Sequence, residues 1–167
     1  MCFEARCLLI GMTLAALSAP ALADDCAAAK SAMLDSGHKP HSVTVTSIDA
    51  QGKQFVTKQV QTATNKYVQT KDGKWYAMNI AIKDLNDNTD SVKTCSRVGS
   101  DTVNGESTTV YAINIDQAGM MLDQKIWVSS KNLILKSEGK MNGTRLVTTF
   151  DFSNATPPAN ATPTGGG

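Results

Sequence analysis

Histidine is nearly absent from this chain of 167 residues: there are two, both in the segment His38-Lys39-Pro40-His41, and aromatic residues make up only 5%. Two imidazoles three positions apart could share a metal, but a zinc site takes three or four protein ligands, and no further His or nearby free Cys completes one. No metal or cofactor is expected. Nucleophilic catalysis lacks its parts too, because both histidines share one proline-containing loop and no Gly-x-Ser-x-Gly elbow is present. Phosphate loops and dinucleotide fingerprints are missing, and the three terminal glycines follow no strand. Asp84, Asp87 and Asp90 lie in the polar stretch KDLNDNTD, which has neither the alternating ligands nor the late glutamate of a calcium loop. A solvated surface accounts for them, and the chain does not read as an enzyme.

An excess of charge of one sign is also lacking: 16 basic and 15 acidic residues leave +1. Nucleic acid and anionic membrane surfaces are therefore not expected partners. The one apolar run, Cys7 to Leu17, is shorter than the roughly 18 to 20 residues that span a bilayer. Preceded by Arg6 and followed by small residues at Ala21 and Ala23, it reads as a signal peptide over residues 1–23, cleaved before Asp24. No integral membrane segment would then remain. Asp24-Asp25 before Cys26 departs from the small or apolar residues that precede a lipidated cysteine, so the product should be soluble and periplasmic or secreted. Removing the signal takes away Glu4 and Arg6, one charge of each sign, so the balance stays at +1.

Cys2 and Cys7 leave with the signal, and Cys26 and Cys95 remain as the only pair in an oxidising compartment. A structural disulfide is expected, since a redox pair usually shows as Cys-x-x-Cys.

What is present is pattern. CAAAKSAMLDS, with Cys26, Ala29 and Met33 on one side, predicts a helix that Gly37 and Pro40 end. From Ser42 the period becomes two. Val43, Val45 and Ile48 run to Asp49-Ala50-Gln51-Gly52, and Lys53 to Gln61 answers them. Asn65–Lys71 and Lys74–Ile82 flank Asp72-Gly73, which predicts a two-residue type I′ turn with both positions at positive φ. A strand carrying Cys95 follows, then Asn104-Gly105 opening onto Glu106–Asp116. In KIWVSSKNLILKSEGK, residues 125–140, Ile126 and Val128 are in step, a break falls at Ser129–Asn132, and Leu133 and Leu135 are in step again. Asn142-Gly143 leads to the last strand, Thr144–Phe152. The remainder, residues 153–167, lacks large apolar side chains and should be a mobile tail. Asn142, Asn154 and Asn160 begin Asn-x-Thr triplets, which decide nothing about function.

One helix cannot cover so many strands laid flat. The expected fold is mainly β, a curved antiparallel meander forming a half-open barrel around one N-terminal helix, in a single domain over residues 24–152. DGKWY at 72–76, KIWVSSKNLILKSEGK and TTFDFSNATPP at 148–158 resemble the superfamily of the periplasmic lipoprotein carriers LolA and LolB and their outer-membrane lipoprotein-sorting relatives. The resemblance implies an incomplete barrel whose concave side accepts acyl chains.

Tyr76, Met78, Ile80 and Ile82 occupy one side of their strand. With Tyr111, Ile113, Ile126, Val128, Leu133, Leu135 and Phe150 they are the candidate lining of an apolar pocket. The same face would serve equally as a dry core against the helix. Trp127 projects opposite Ile126 and Val128, and on a convex surface it would be a candidate contact for a protein partner. The expected job is binding of a lipid or acylated envelope component. The alternative is an envelope adaptor, accessory subunit or inhibitor that holds another protein and no small molecule.

Overall fold

The computed structural model describes residues 24–84, 89–117 and 119–164. The signal reading at 1–23 lies outside the described residues, as does Asp87. Helix α1 (Asp24–Gly37) is followed by β1 (His41–Ile48), β2 (Gln54–Gln61), β3 (Lys66–Gln69) and β4 (Trp75–Met78). Two short 3-10 turns, Ile82–Asp84 and Thr89–Ser91, lead to the long hairpin β5 (Val92–Val103) and β6 (Glu106–Gln117). Then come β7 (Met120–Ser129), β8 (Ile134–Met141), β9 (Thr144–Asp151) and β10 (Ala161–Pro163). All ten strands form one open sheet in the order β10-β4-β3-β2-β1-β9-β8-β7-β6-β5. The half-open barrel around one helix is the architecture observed.

The order follows from turn chemistry. Asn104-Gly105 and Asn142-Gly143 each hold both residues at positive φ, so their strands return at once as antiparallel neighbours. At Asp72-Gly73 only Gly73 has positive φ, and Gly73 N–H donates to the Thr70 carbonyl while Thr70 N–H donates to that of Lys74. The expected two-residue turn is thus a longer loop with one left-handed position. Ser129–Asn132 closes in the same way, with Asn132 in the left-handed place at φ 60.

The segment after β9 was expected to be a mobile tail and instead supplies β10, paired in parallel with β4 through Ala161, Thr162 and Pro163. Thr164 adds a hydrogen bond from its N–H to the Ala77 carbonyl at 2.8 Å. A sheet edge can recruit any extended segment through backbone groups alone, whatever its apolar content.

Helix α1 packs chiefly on β5, β6, β7 and β8. Ala29 and Ala32 are fully buried, and their small side chains bring the helix close to Ile113, Ile126, Val128 and Ile134. Polar bonds fix its roll: Ile134 N–H donates to Ser36 Oγ at 2.7 Å, and Asn132 Nδ2 donates to Ser31 Oγ and Asp35 Oδ2 at 2.8 and 2.7 Å. At the other end of the helix the Cys26–Cys95 disulfide joins it to β5; the two cysteines are 69 positions apart in sequence and 5.0 Å apart between their Cα atoms.

A second apolar cluster lies on the opposite face of the sheet: Val103, Val110, Trp127, Leu133 and Leu135, with Phe152 against them. A bulge separates it from the first. Trp127 is opposite Lys136 but Val128 is opposite Ile134, so β8 carries one extra residue, Leu135. An extra residue breaks the alternation of a strand. Ile134 therefore turns to the helix, and Leu133 and Leu135 turn away from it.

Candidate functional site

Cross-strand registers trace the helix-facing side across the sheet. Ile126 is opposite Ser137, Ser137 opposite Thr148, Thr148 opposite Val45 and Val45 opposite Thr57. One rung away, Phe150, Val43, Gln59, Val68 and Tyr76 are opposite one another in turn. Residues directly opposite in a ladder share a face. The concave side is therefore covered by α1 over β5–β8 and extends beyond the helix over β1–β4, where Val43, Val45, Phe55, Val68, Tyr76 and Met78 are half-buried.

Between the helix and the sheet is a cavity of about 250 Å³. Its apolar wall is Met33, Ile113, Ile126, Ile134 and Phe150, and its polar points are Ser36, His41, Gln124 and Ser137. Gly139 contributes by lacking a side chain: a Cβ there would meet Gln124 Cγ at 2.9 Å, so Gln124 can lie flat along the wall.

His41 closes one end. Its ring stands 5.8 Å from Phe150 and 5.4 Å from Phe152 between centroids, and Nδ1 donates to the Lys39 carbonyl at 2.6 Å. Burial pushes the imidazole below its ordinary value of 6.5, against the pull of the Lys39 carbonyl and with help from the Lys66 charge.

Of the candidate lining residues, the structure brings Tyr111, Ile113, Ile126, Val128 and Phe150 together around α1. Tyr76 and Met78 share the concave face but sit at the far side of the sheet, beyond the helix. Ile80 has left the strand, and its carbonyl accepts from Gln61 Nε2 at 3.1 Å. Leu133 and Leu135 are corrected to the outer face by the bulge. Ile134, Ser36, Gln124 and Ser137 escaped the sequence reading. Only the i+4 distance of Ser36 from Ala32 was a signal for any of them.

Trp127 is corrected as well. It is 6% exposed, its indole N–H donates to Asp101 Oδ2 at 2.9 Å, and Lys136 Nζ stands 4.2 Å from its ring centroid. The Asp101 carboxyl is held below its usual range chiefly by that indole bond. Trp127 anchors the outer cluster and is not an exposed contact.

The outer face also carries an open groove of about 560 Å³ among Lys125, Lys140, Arg145, Asp123 and Glu138. Glu138 is engaged there by Lys136 at 2.6 Å and Arg145 at 2.9 Å. Among the described residues no group of three or more His, Cys, Asp or Glu could hold a metal ion, and no helix is long and apolar enough to cross a membrane.

No family profile and no curated sequence matches the chain. Solved structures do. The lipoprotein LppX of Mycobacterium tuberculosis superposes with a TM-score of 0.51 at 12% identity, over 81% of this chain and 99% of its own. The fold is that of LppX. LprF from Mycobacterium bovis has a TM-score of 0.48 at 14% identity over 83% of this chain and 98% of its own, and a LolA superfamily protein from Nitrosomonas europaea has 0.32 at 9% over 80% and 92%. At this identity the likeness to LppX is one of fold alone.

Proposed function

We propose that this protein is a non-enzymatic binding protein of the cell envelope, exported to the periplasm or beyond, that holds an acyl chain or another apolar ligand against its concave face. The observation that carries the reading is the cavity between α1 and the sheet, which opens toward further apolar surface. At about 250 Å³ this half-open cavity is smaller than the roughly 300 to 1,000 Å³ usual for a small-molecule pocket. It suits one segment of a longer chain, with the remainder lying over Val43, Val45, Val68 and Tyr76 on the concave side beyond the helix. Export is supported by the signal pattern and by the Cys26–Cys95 bond.

The test is native mass spectrometry of protein purified from its periplasm, followed by solvent extraction. A defined lipid in the wild type and its loss from Ser137→Phe, which fills the cavity opposite Ile126, is the expected result. A bare mass in the wild type, together with no uptake of added palmitate, would sink it.

The second reading, a protein-binding adaptor, is favoured by β5. Among the described residues this edge strand of 12 residues pairs on one side only, and Val98 on it is 52% exposed. An added partner strand would lie there, and a single stoichiometric partner with no lipid would select it.

A further inference from the structure

A second cavity, of about 500 Å³, lies beside the outer cluster, on the other side of Phe150 from the first. Val103, Leu133, Leu135 and Phe152 form its apolar wall. Glu106 also lines it, and this residue breaks the local pattern. It is the first residue of β6, directly opposite Val103, so its side chain lies on the face that Val103, Val110 and Trp127 make apolar. Its Oε1 atom is buried and has no hydrogen-bond partner among the described residues. Lys39 and Lys131 line the same cavity, yet neither reaches it.

A buried carboxylate oxygen without a donor is costly and calls for an explanation, and a bound donor supplies one. The apolar wall fixes one half of what would do so, and the orphaned oxygen fixes the other. Lys39, Lys131 and Asp151 are all exposed, two charges of one sign and one of the other, and solvent screens them. Glu106 is half-buried with one oxygen fully buried, so solvent screens it less than it screens them, and its charge favours a cationic donor beside it.

We propose that this cavity is a second binding site, distinct from the concave one, for an amphiphile with an ammonium head: the head donates to Glu106 Oε1 and the hydrocarbon body lies on Leu133, Leu135 and Phe152. The volume falls within the ordinary range for such sites. Of the residues that line the concave cavity, it shares Phe150.

The experiment is calorimetric titration of the oxidised full chain with dodecylamine and with dodecanoate, each below its micelle concentration. It compares wild type, Glu106→Gln and Ser137→Phe. Dodecylamine is expected to bind wild type and Ser137→Phe alike and to bind Glu106→Gln at least ten-fold more weakly, while dodecanoate binds Glu106→Gln as it binds wild type. Equal amine affinity in Glu106→Gln, no amine binding at all, or loss of amine binding in Ser137→Phe would each overturn the proposal. Loss of dodecanoate binding in Ser137→Phe bears only on the concave site, so the two readings fail separately. A second readout guards against a structural role: the ligand-free thermal midpoint of Glu106→Gln should equal or exceed that of wild type. A midpoint several degrees lower would mean that the carboxylate supports the fold, and the site would be abandoned.

Discussion

At the scale of single residues, the molecule places a few polar groups where apolar ones would pack. His41 is one of them, 9% exposed between Phe150 and Phe152. Its folded pKa lies below 6.5 because burial disfavours the imidazolium. The unfolded chain then binds more protons than the folded one below pH 6.5, so stability rises with pH there. This contribution is present above 6.5 and is lost as pH falls from 6.5 through the lower folded value. The urea midpoint of the wild type is expected to drop between pH 7 and pH 5.5, before most carboxylates protonate, and His41→Gln to show a smaller drop. The sequence placed His41 in a solvated loop because proline and lysine precede it. Only the pairing of β1 with β9, which puts Phe150 beside it, buries the ring.

At the scale of elements, α1 decides whether the concave face is a site or merely a core. Its sequence is weakly amphipathic, rich in alanine, and such a short helix does not hold itself in place by propensity. The disulfide at one end and the Ser36 and Asn132 bonds at the other hold it. Closing a loop of 69 residues is worth about 4 kcal/mol in the chain-entropy account, and about 2 to 4 is typical of measurement. The Cys26→Ser/Cys95→Ser variant should therefore lose about 2 to 4 kcal/mol in urea unfolding. Amide exchange in α1 should quicken more than in β7 and β8. Equal quickening in all three elements would mean that the bond acts on the whole fold rather than on the helix. Helix, hairpins and disulfide were legible from periodicity, turn residues and cysteine count. The bulge in β8 was not, since Leu133, Ile134 and Leu135 are all apolar and nothing local tells which one is extra.

At the scale of the whole molecule, one sheet separates two apolar clusters, and each borders a cavity. A ligand that binds only the folded chain stabilises it by mass action, by about 2.7 kcal/mol at one hundred times its dissociation constant. Palmitate at that excess is expected to raise the thermal midpoint of delipidated wild type and to leave that of Ser137→Phe unchanged. Scanning calorimetry checks both.

The sequence by itself determined the mainly β class, helix α1, the positions of most turns and the cysteine pair, because each rests on local backbone preference or on simple counting. The tertiary structure decided which face each apolar residue serves. Facing depends on register, and one extra residue in β8 sent Leu133 and Leu135 to the outer cluster with Trp127 and brought Ile134 to the helix. It also decided that the C-terminal segment pairs with β4, since an unpaired backbone edge selects a partner by geometry and carries no mark in the side chains.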